Sequence, residues 1–265
     1  VSRFLRGFTT IGIKIPKIDI AVKIVDTLNI RLIAILDIDR IDRREISDQI
    51  IRARKWHNYR EGLLKISIYT GDIDTLRDIA HLIPSETPMF IKGDLCREIE
   101  EIKNLIVLVD PPREKKCLEN TSGNMVLYTE RVTEEPEDLS KTLYSSGYRD
   151  PSDFLRDLFK SKIDPKISLS KLTRESAALY NISAGLIEKG FLGDIAIYDV
   201  SEAPILIPFD KEDLISRYIL RGSLRLETLI IDGELIIDNS ETLYIGKALY
   251  KKARSRLEEI LSKIV

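Results

Sequence analysis

Residues 172–200 read LTRESAALYNISAGLIEKGFLGDIAIYDV, and residues 228–238 read TLIIDGELIID. In the first stretch a helical pattern runs to Tyr180, Gly185, Gly190 and Gly193 punctuate a tight turn, and a short apolar strand follows at Asp194–Tyr198. In the second, two apolar runs flank Asp232-Gly233, the two-residue signal of a β-hairpin. A helix, a glycine-bounded turn, a strand and then a hairpin mark the place where one architecture gives way to a small antiparallel unit.

Upstream of that junction the chain alternates β-rich runs with amphipathic segments. The spacing predicts strands at Thr9–Ile15, Leu32–Asp37, Leu63–Tyr69, Met89–Lys92, Leu105–Val109 and Met125–Tyr128. Helices are predicted between them at Asp19–Thr27, Arg44–His57, Asp74–Leu82 and Leu95–Lys103. Such alternation argues for a parallel sheet with crossover helices. LIAIL and LIVLV are apolar throughout, as strands covered on both faces are. Periodicity alone leaves a (β/α)8 barrel and an open doubly wound sheet equally open. Residues 110–123 and 129–152 are polar and turn-rich and read as long loops, the usual seat of chemistry in barrel enzymes. Helices resume at 152–159 and Ser168–Tyr180, a short one is expected at Asp210–Leu220, and Glu241 to Ile264 has the apolar spacing of a terminal amphipathic helix.

Composition bounds the function. The 265 residues carry a net charge of −2, which gives no reason to expect nucleic acid or an anionic membrane surface as partner. No apolar run is long enough for a membrane span, and no signal peptide opens the sequence. Two cysteines, Cys96 and Cys117, argue against a disulfide framework and for a cytoplasmic protein. Charged residues make up 32% and Gln49 is the only glutamine, a habit of hyperthermophile proteins, so a thermophilic source is expected.

The order and spacing of these segments resemble the amidohydrolase superfamily, nearest its aminohydrolase and chlorohydrolase branch with the cytosine-deaminase-like enzymes. Residues 172–200 resemble the last barrel helix and the K-G-x-I-x-x-G-x-x-A-D-L-V-I-x-D run, and residues 228–238 resemble the V-x-V-N-G-K-V-V hairpin of the family's small β domain. FLRGFTTIGI resembles the entry into the second barrel strand, with Gly7, Thr9 and Thr10 in place. SIYTGDIDTLRDIAHL is similar to H-A-P-Y-T-x-S-x-E-L-L, PMFIKGDLCREIEEI to P-x-x-I-H-x-x-E, LIVLVDPP to the sixth strand, and NMVLYTERVTEEPEDL to V-x-L-G-T-D-N.

The resemblance implies an α/β fold: an incomplete (β/α)8 TIM-like barrel over 1–190, a small β unit over 191–240 and a terminal helix over 241–265. It places the first barrel strand, which in the family ends in His-x-His, upstream of Val1. The resulting gap is expected to be covered by the N-terminal segment, a neighbouring chain or a displaced helix. The implied activity is hydrolysis of carbon–nitrogen bonds in a small heterocycle or amide, and the alternative is a non-catalytic binding or regulatory subunit on the same fold. The expected partner is a small-molecule ligand, and a homo-oligomer is left open.

The framework residues match while the ligand positions do not. The family binds zinc or iron mainly through histidines. Here Ser67 or Ile66, and Ile91 or Lys92, stand where histidines belong, and Asp94 stands where the branch has a Glu. Asp110 is the polar residue nearest the sixth strand's end, and Glu130 takes the place of the catalytic, metal-binding Asp. Glu130 is therefore the candidate catalytic carboxylate, and Asp94, Asp110 and Arg131 are candidate substrate-binding residues. No cofactor is expected. The only histidines are His57, in RARKWHNYREG, and His81, in LRDIAHLIP; both read as structural or surface residues. Lys65, midway along its strand, reads as a snorkelling side chain. The glycines fit no phosphate-loop spacing.

Overall fold

The structure is a computed structural model; it describes residues 6–84, 87–92, 105–109, 126–129, 142–144, 151, 153, 156, 160, 164–199, 225–244 and 246–262. Seven strands form the larger sheet: β1 (Thr10–Ile15), β2 (Arg31–Asp37), β3 (Leu64–Thr70), β4 (Met89–Lys92), β5 (Leu105–Val109), β6 (Val126–Thr129) and β7 (Thr142–Tyr144). They pair in unbroken chain order, every neighbour parallel. A doubly wound sheet reverses its strand order at a switch point; this one never does. It has the winding of a (β/α)8 barrel, incomplete among the described residues, with β1 and β7 as its two edges.

Six of the seven strands fall within two residues of the predicted positions. The seventh corrects the reading of residues 129–152 as loop: Thr142–Tyr144 pairs with β6. Three residues are too short to show the period-two alternation by which strands are recognised. The expected helices at Leu95–Lys103 and Asp210–Leu220, both cysteines and residues 1–5 of the N-terminal segment lie outside the described residues.

Alternation splits the strands into two faces. Ile11, Leu32 and Leu64 share one level of the register, and Ile15, Leu36 and Ile68 another. These outward residues form one buried cluster with Ala21 and Val25 of the Ile18–Leu28 helix and Ile50 and Ala53 of the Ile46–Trp56 helix. The first of these helices buries Ile18, Ala21 and Val25, a stripe set by the 3.6-residue repeat. It stops at Asn29, which takes the left-handed conformation (φ 48°) that asparagine tolerates, and the Asn29 N–H caps the Val25 carbonyl. The Ile73–Ala80 helix starts at Asp72, whose carboxylate accepts the amides of Asp74 and Thr75. The Thr75 hydroxyl donates to the same carboxylate and holds its pKa below the usual range.

The second sheet is antiparallel, in the order β11-β10-β9-β8, from β8 (Ile195–Asp199), β9 (Arg225–Ile231), β10 (Glu234–Asp238) and β11 (Glu241–Thr242). The β9–β10 hairpin turns on Asp232 (φ 55°) and Gly233 (φ 78°), the paired positive dihedrals of a type I′ turn. Glu241 and Thr242 belong to this sheet, and the terminal helix runs Lys247–Leu261.

One buried arginine joins the sheets. Arg31, at the start of β2 and 1% exposed, grips both oxygens of Asp194 at 3.0 Å, and Asp194 is itself 2% exposed. Arg31 also donates to the Gly62 carbonyl at 3.1 Å and lies 3.6 Å from Asp232. Asp194 completes the junction by accepting the Asp232 N–H at 2.9 Å.

Candidate functional site at the carboxyl ends of the strands

In a parallel barrel the strand carboxyl ends and their loops form the reactive mouth. On β1 to β4 the inward residues follow from register: Gly12, Ile33 and Lys65 at the lower level, then Lys14, Ile35 and Ser67, then Asp37, Tyr69 and Phe90 at the mouth. The lower end is closed from within. Ile182 and Ala184 pack on Ile33, with Ala177, Tyr180 and Leu192 around them.

Lys65 lies in this lower layer, half-buried, with its ammonium 3.4 Å from the Asn181 carbonyl. Burial first, and the Arg31 charge second, lower its pKa. The ammonium is therefore less favoured in the folded chain than in the unfolded one. That penalty is complete below the folded pKa and is relieved as pH rises from there to the unfolded value. Urea midpoints measured from neutral pH to about pH 10 should consequently rise more for the native chain than for Lys65→Met. Parallel profiles would show that the ammonium is not disfavoured.

The upper levels hold the polar groups. Lys14 reaches across from β1 and sets its ammonium 3.1 Å from the centroid of the Tyr69 ring, a cation–π contact. Asp39, just past β2, accepts the Thr70 hydroxyl and the Gly71 N–H, each at 2.8 Å, and so ties the β2 and β3 loops together. Asp37, the last residue of β2, is 5% exposed. Its Oδ2 lies 3.4 Å from Nε of the exposed Arg40, while its buried Oδ1 has no hydrogen-bond partner. Leaving a buried acceptor bare costs about 1–3 kcal/mol, and more when it is charged.

Both histidines sit at the other end. His57 follows the Ile46–Trp56 helix, and its Nδ1 accepts the Ile66 N–H at 3.2 Å near the start of β3. His81 caps the Ile73–Ala80 helix, which leaves the mouth at Asp72 and runs back towards the lower face, and it is exposed. Neither contributes an imidazole to the mouth.

The sequence candidates Glu130, Asp94, Asp110 and Arg131 lie outside the described residues. The described mouth residues that sequence reading missed are Lys14, Asp37 and Tyr69. Their signal was positional: each stands at or near the carboxyl end of a strand, in phase with the inward face. Among the described residues no three of His, Cys, Asp and Glu converge. The described donors there are the carboxylates of Asp37 and Asp39, a hydroxyl, a phenol and an ammonium, which does not fit the imidazole-rich set that zinc favours.

Comparison with solved structures places this geometry. The atrazine chlorohydrolase of Arthrobacter aurescens TC1, complexed with zinc, superposes with a TM-score of 0.72 at 12% identity, over 96% of this chain and 75% of that one. The adenosine deaminase of Xanthomonas campestris, with bound zinc, gives 0.65 at 14% identity, over 98% and 73%. The chain has the amidohydrolase fold. The aminofutalosine deaminase of Helicobacter pylori shares this amidohydrolase barrel with a TM-score of 0.65 at 13% identity, over 89% of this chain and 75% of that one. In sequence, 91 residues are 31% identical to the 5′-deoxyadenosine deaminase of Methanocaldococcus jannaschii; they cover 34% of this chain and 21% of that protein's length. No protein-family profile matches. No described helix is long and apolar enough to cross a membrane.

Proposed function

We propose that this protein is an amidohydrolase relative that takes a small nitrogen heterocycle or amide at its barrel mouth, and that its chemistry is hydrolysis of a carbon–nitrogen bond without the imidazole-held metal of its relatives. The deaminases and triazine hydrolases among its neighbours support the substrate class and bond type. The observation that carries the second half is the placement of His57 and His81 away from the mouth. Two histidines so placed supply no ligand to an ion at the strand ends, and they are the only two in the sequence.

In this reading Glu130 is the carboxylate that takes a proton from attacking water and passes it on, and Asp94, Asp110 and Arg131 are substrate-binding residues. The ligand is a small molecule, with no part for nucleic acid or membrane. The specific observation that favours a second reading, a non-catalytic binding or regulatory subunit, is the inward-facing pair Lys14 and Lys65, cationic groups in the barrel interior. A turnover assay for ammonia release from 5′-deoxyadenosine, adenosine and simple amides separates the two. Release that is abolished by Glu130→Gln supports the hydrolase, and binding without release supports the subunit.

A further inference from the structure

The bare oxygen of Asp37 is the feature that the fold does not explain. Asp37 and Asp39 flank one turn at the end of β2, yet only Asp39 is fully engaged, bonded to Thr70 and Gly71. Asp37 faces the interior in the series Ile33, Ile35, Asp37, at the level of Tyr69 and Phe90. One of its oxygens meets only Arg40, 77% exposed and at 3.4 Å, and the other is buried with nothing to accept. A carboxylate in that state is suited to receive an N–H from outside the chain.

The charges nearby narrow the donor. The Lys14 ammonium rests on Tyr69, the register partner of Asp37, and the Arg40 guanidinium holds the second oxygen. A guanidinium already on the carboxylate, with a second cation on the neighbouring Tyr69 ring, disfavours a cationic ligand and leaves a neutral N–H donor as the best match. Tyr69, at the same level, gives a planar ligand an aromatic neighbour, while Phe90 is buried and stacks on Tyr180.

Resting on the reading of the mouth as a ligand site, we propose that Asp37 is a substrate-binding residue which accepts a hydrogen bond from an amino or ring N–H of a neutral nitrogen heterocycle. A bond to an exocyclic amino group also gives discrimination, because the analogue lacking that group leaves the buried carboxylate bare.

The test uses 2-aminopyrimidine and pyrimidine as probes, titrated into the full chain and followed by NMR, with urea unfolding measured in parallel. The native chain should bind 2-aminopyrimidine more tightly than pyrimidine. Asp37→Asn and Asp37→Leu should each weaken 2-aminopyrimidine binding at least tenfold and leave pyrimidine unchanged. Their urea midpoints should equal or exceed that of the native chain, because a bare buried carboxylate has been removed. A native chain that does not distinguish the probes overturns the assignment. So do Asp37 variants that unfold at lower urea while binding as before, the signature of a purely structural ion pair. If turnover is absent but the Asp37 effect is present, the hydrolase reading fails and the binding site stands. If a substrate is hydrolysed with unchanged KM by Asp37→Asn, the reverse holds.

Discussion

Truncating Arg31 to alanine should lower the unfolding free energy by about 3–5 kcal/mol. The effect is large because of what is left behind. Asp194 is 2% exposed, and without the guanidinium its charge stays buried with only the Asp232 N–H to offset it. The Gly62 carbonyl loses its donor as well. Pairing Arg31→Met with Asp194→Leu removes both charges together and should cost clearly less than the sum of the single changes, since apolar replacement of a buried pair is often neutral. Urea unfolding of the two single variants and the double variant measures the coupling. A loss below about 1 kcal/mol for Arg31→Ala would place the pair in the class of solvent-screened surface bridges.

Substituting Gly185 with alanine should cost about 2–4 kcal/mol, from left-handed backbone strain and a steric clash together. Gly185 sits at φ +91°, and an added Cβ would come 2.4 Å from the amide nitrogen of Arg174 and 2.6 Å from the carbonyl carbon of Thr173. Those are backbone atoms, so no side-chain rotation relieves the contact. They belong to a π-helical turn, Lys171–Glu175, within the helix that begins at Pro165. There the Lys171 ammonium, 4% exposed, pairs with Glu175 at 2.6 Å. Gly190→Ala is the control: its φ is +97°, yet nothing lies within 4 Å of its Cβ position, so it carries the backbone strain alone. The difference between the two urea midpoints isolates the clash. Equal midpoints would mean that the 180–192 segment does not pack on the π turn.

The two variants also show what the sequence could and could not reveal. The hairpin at Asp232-Gly233, the strand after Gly193 and the barrel alternation were legible because each rests on local rules of turn chemistry and period. Asp194 was legible only as part of a motif. Its role as the acceptor for Arg31, 163 positions away, is a tertiary fact with no local signature. The same holds for Asp37: its position at a strand end was readable, but its bare Oδ1 depends on which neighbours face it. The choice between barrel and doubly wound sheet turned on strand order, which periodicity does not encode. Resemblance to a family proposed Glu130, Asp94, Asp110 and Arg131, which lie outside the described residues, while physical reasoning from register located Lys14, Asp37 and Tyr69 at the mouth.

Metal analysis of the purified full chain after incubation with zinc and desalting bears most directly on the proposal that the chemistry runs without an imidazole-held metal. The account predicts zinc far below one equivalent, with the amount unchanged by His57→Ala or His81→Ala. One tightly held equivalent, lost on substitution of either histidine or of Glu130, would contradict it.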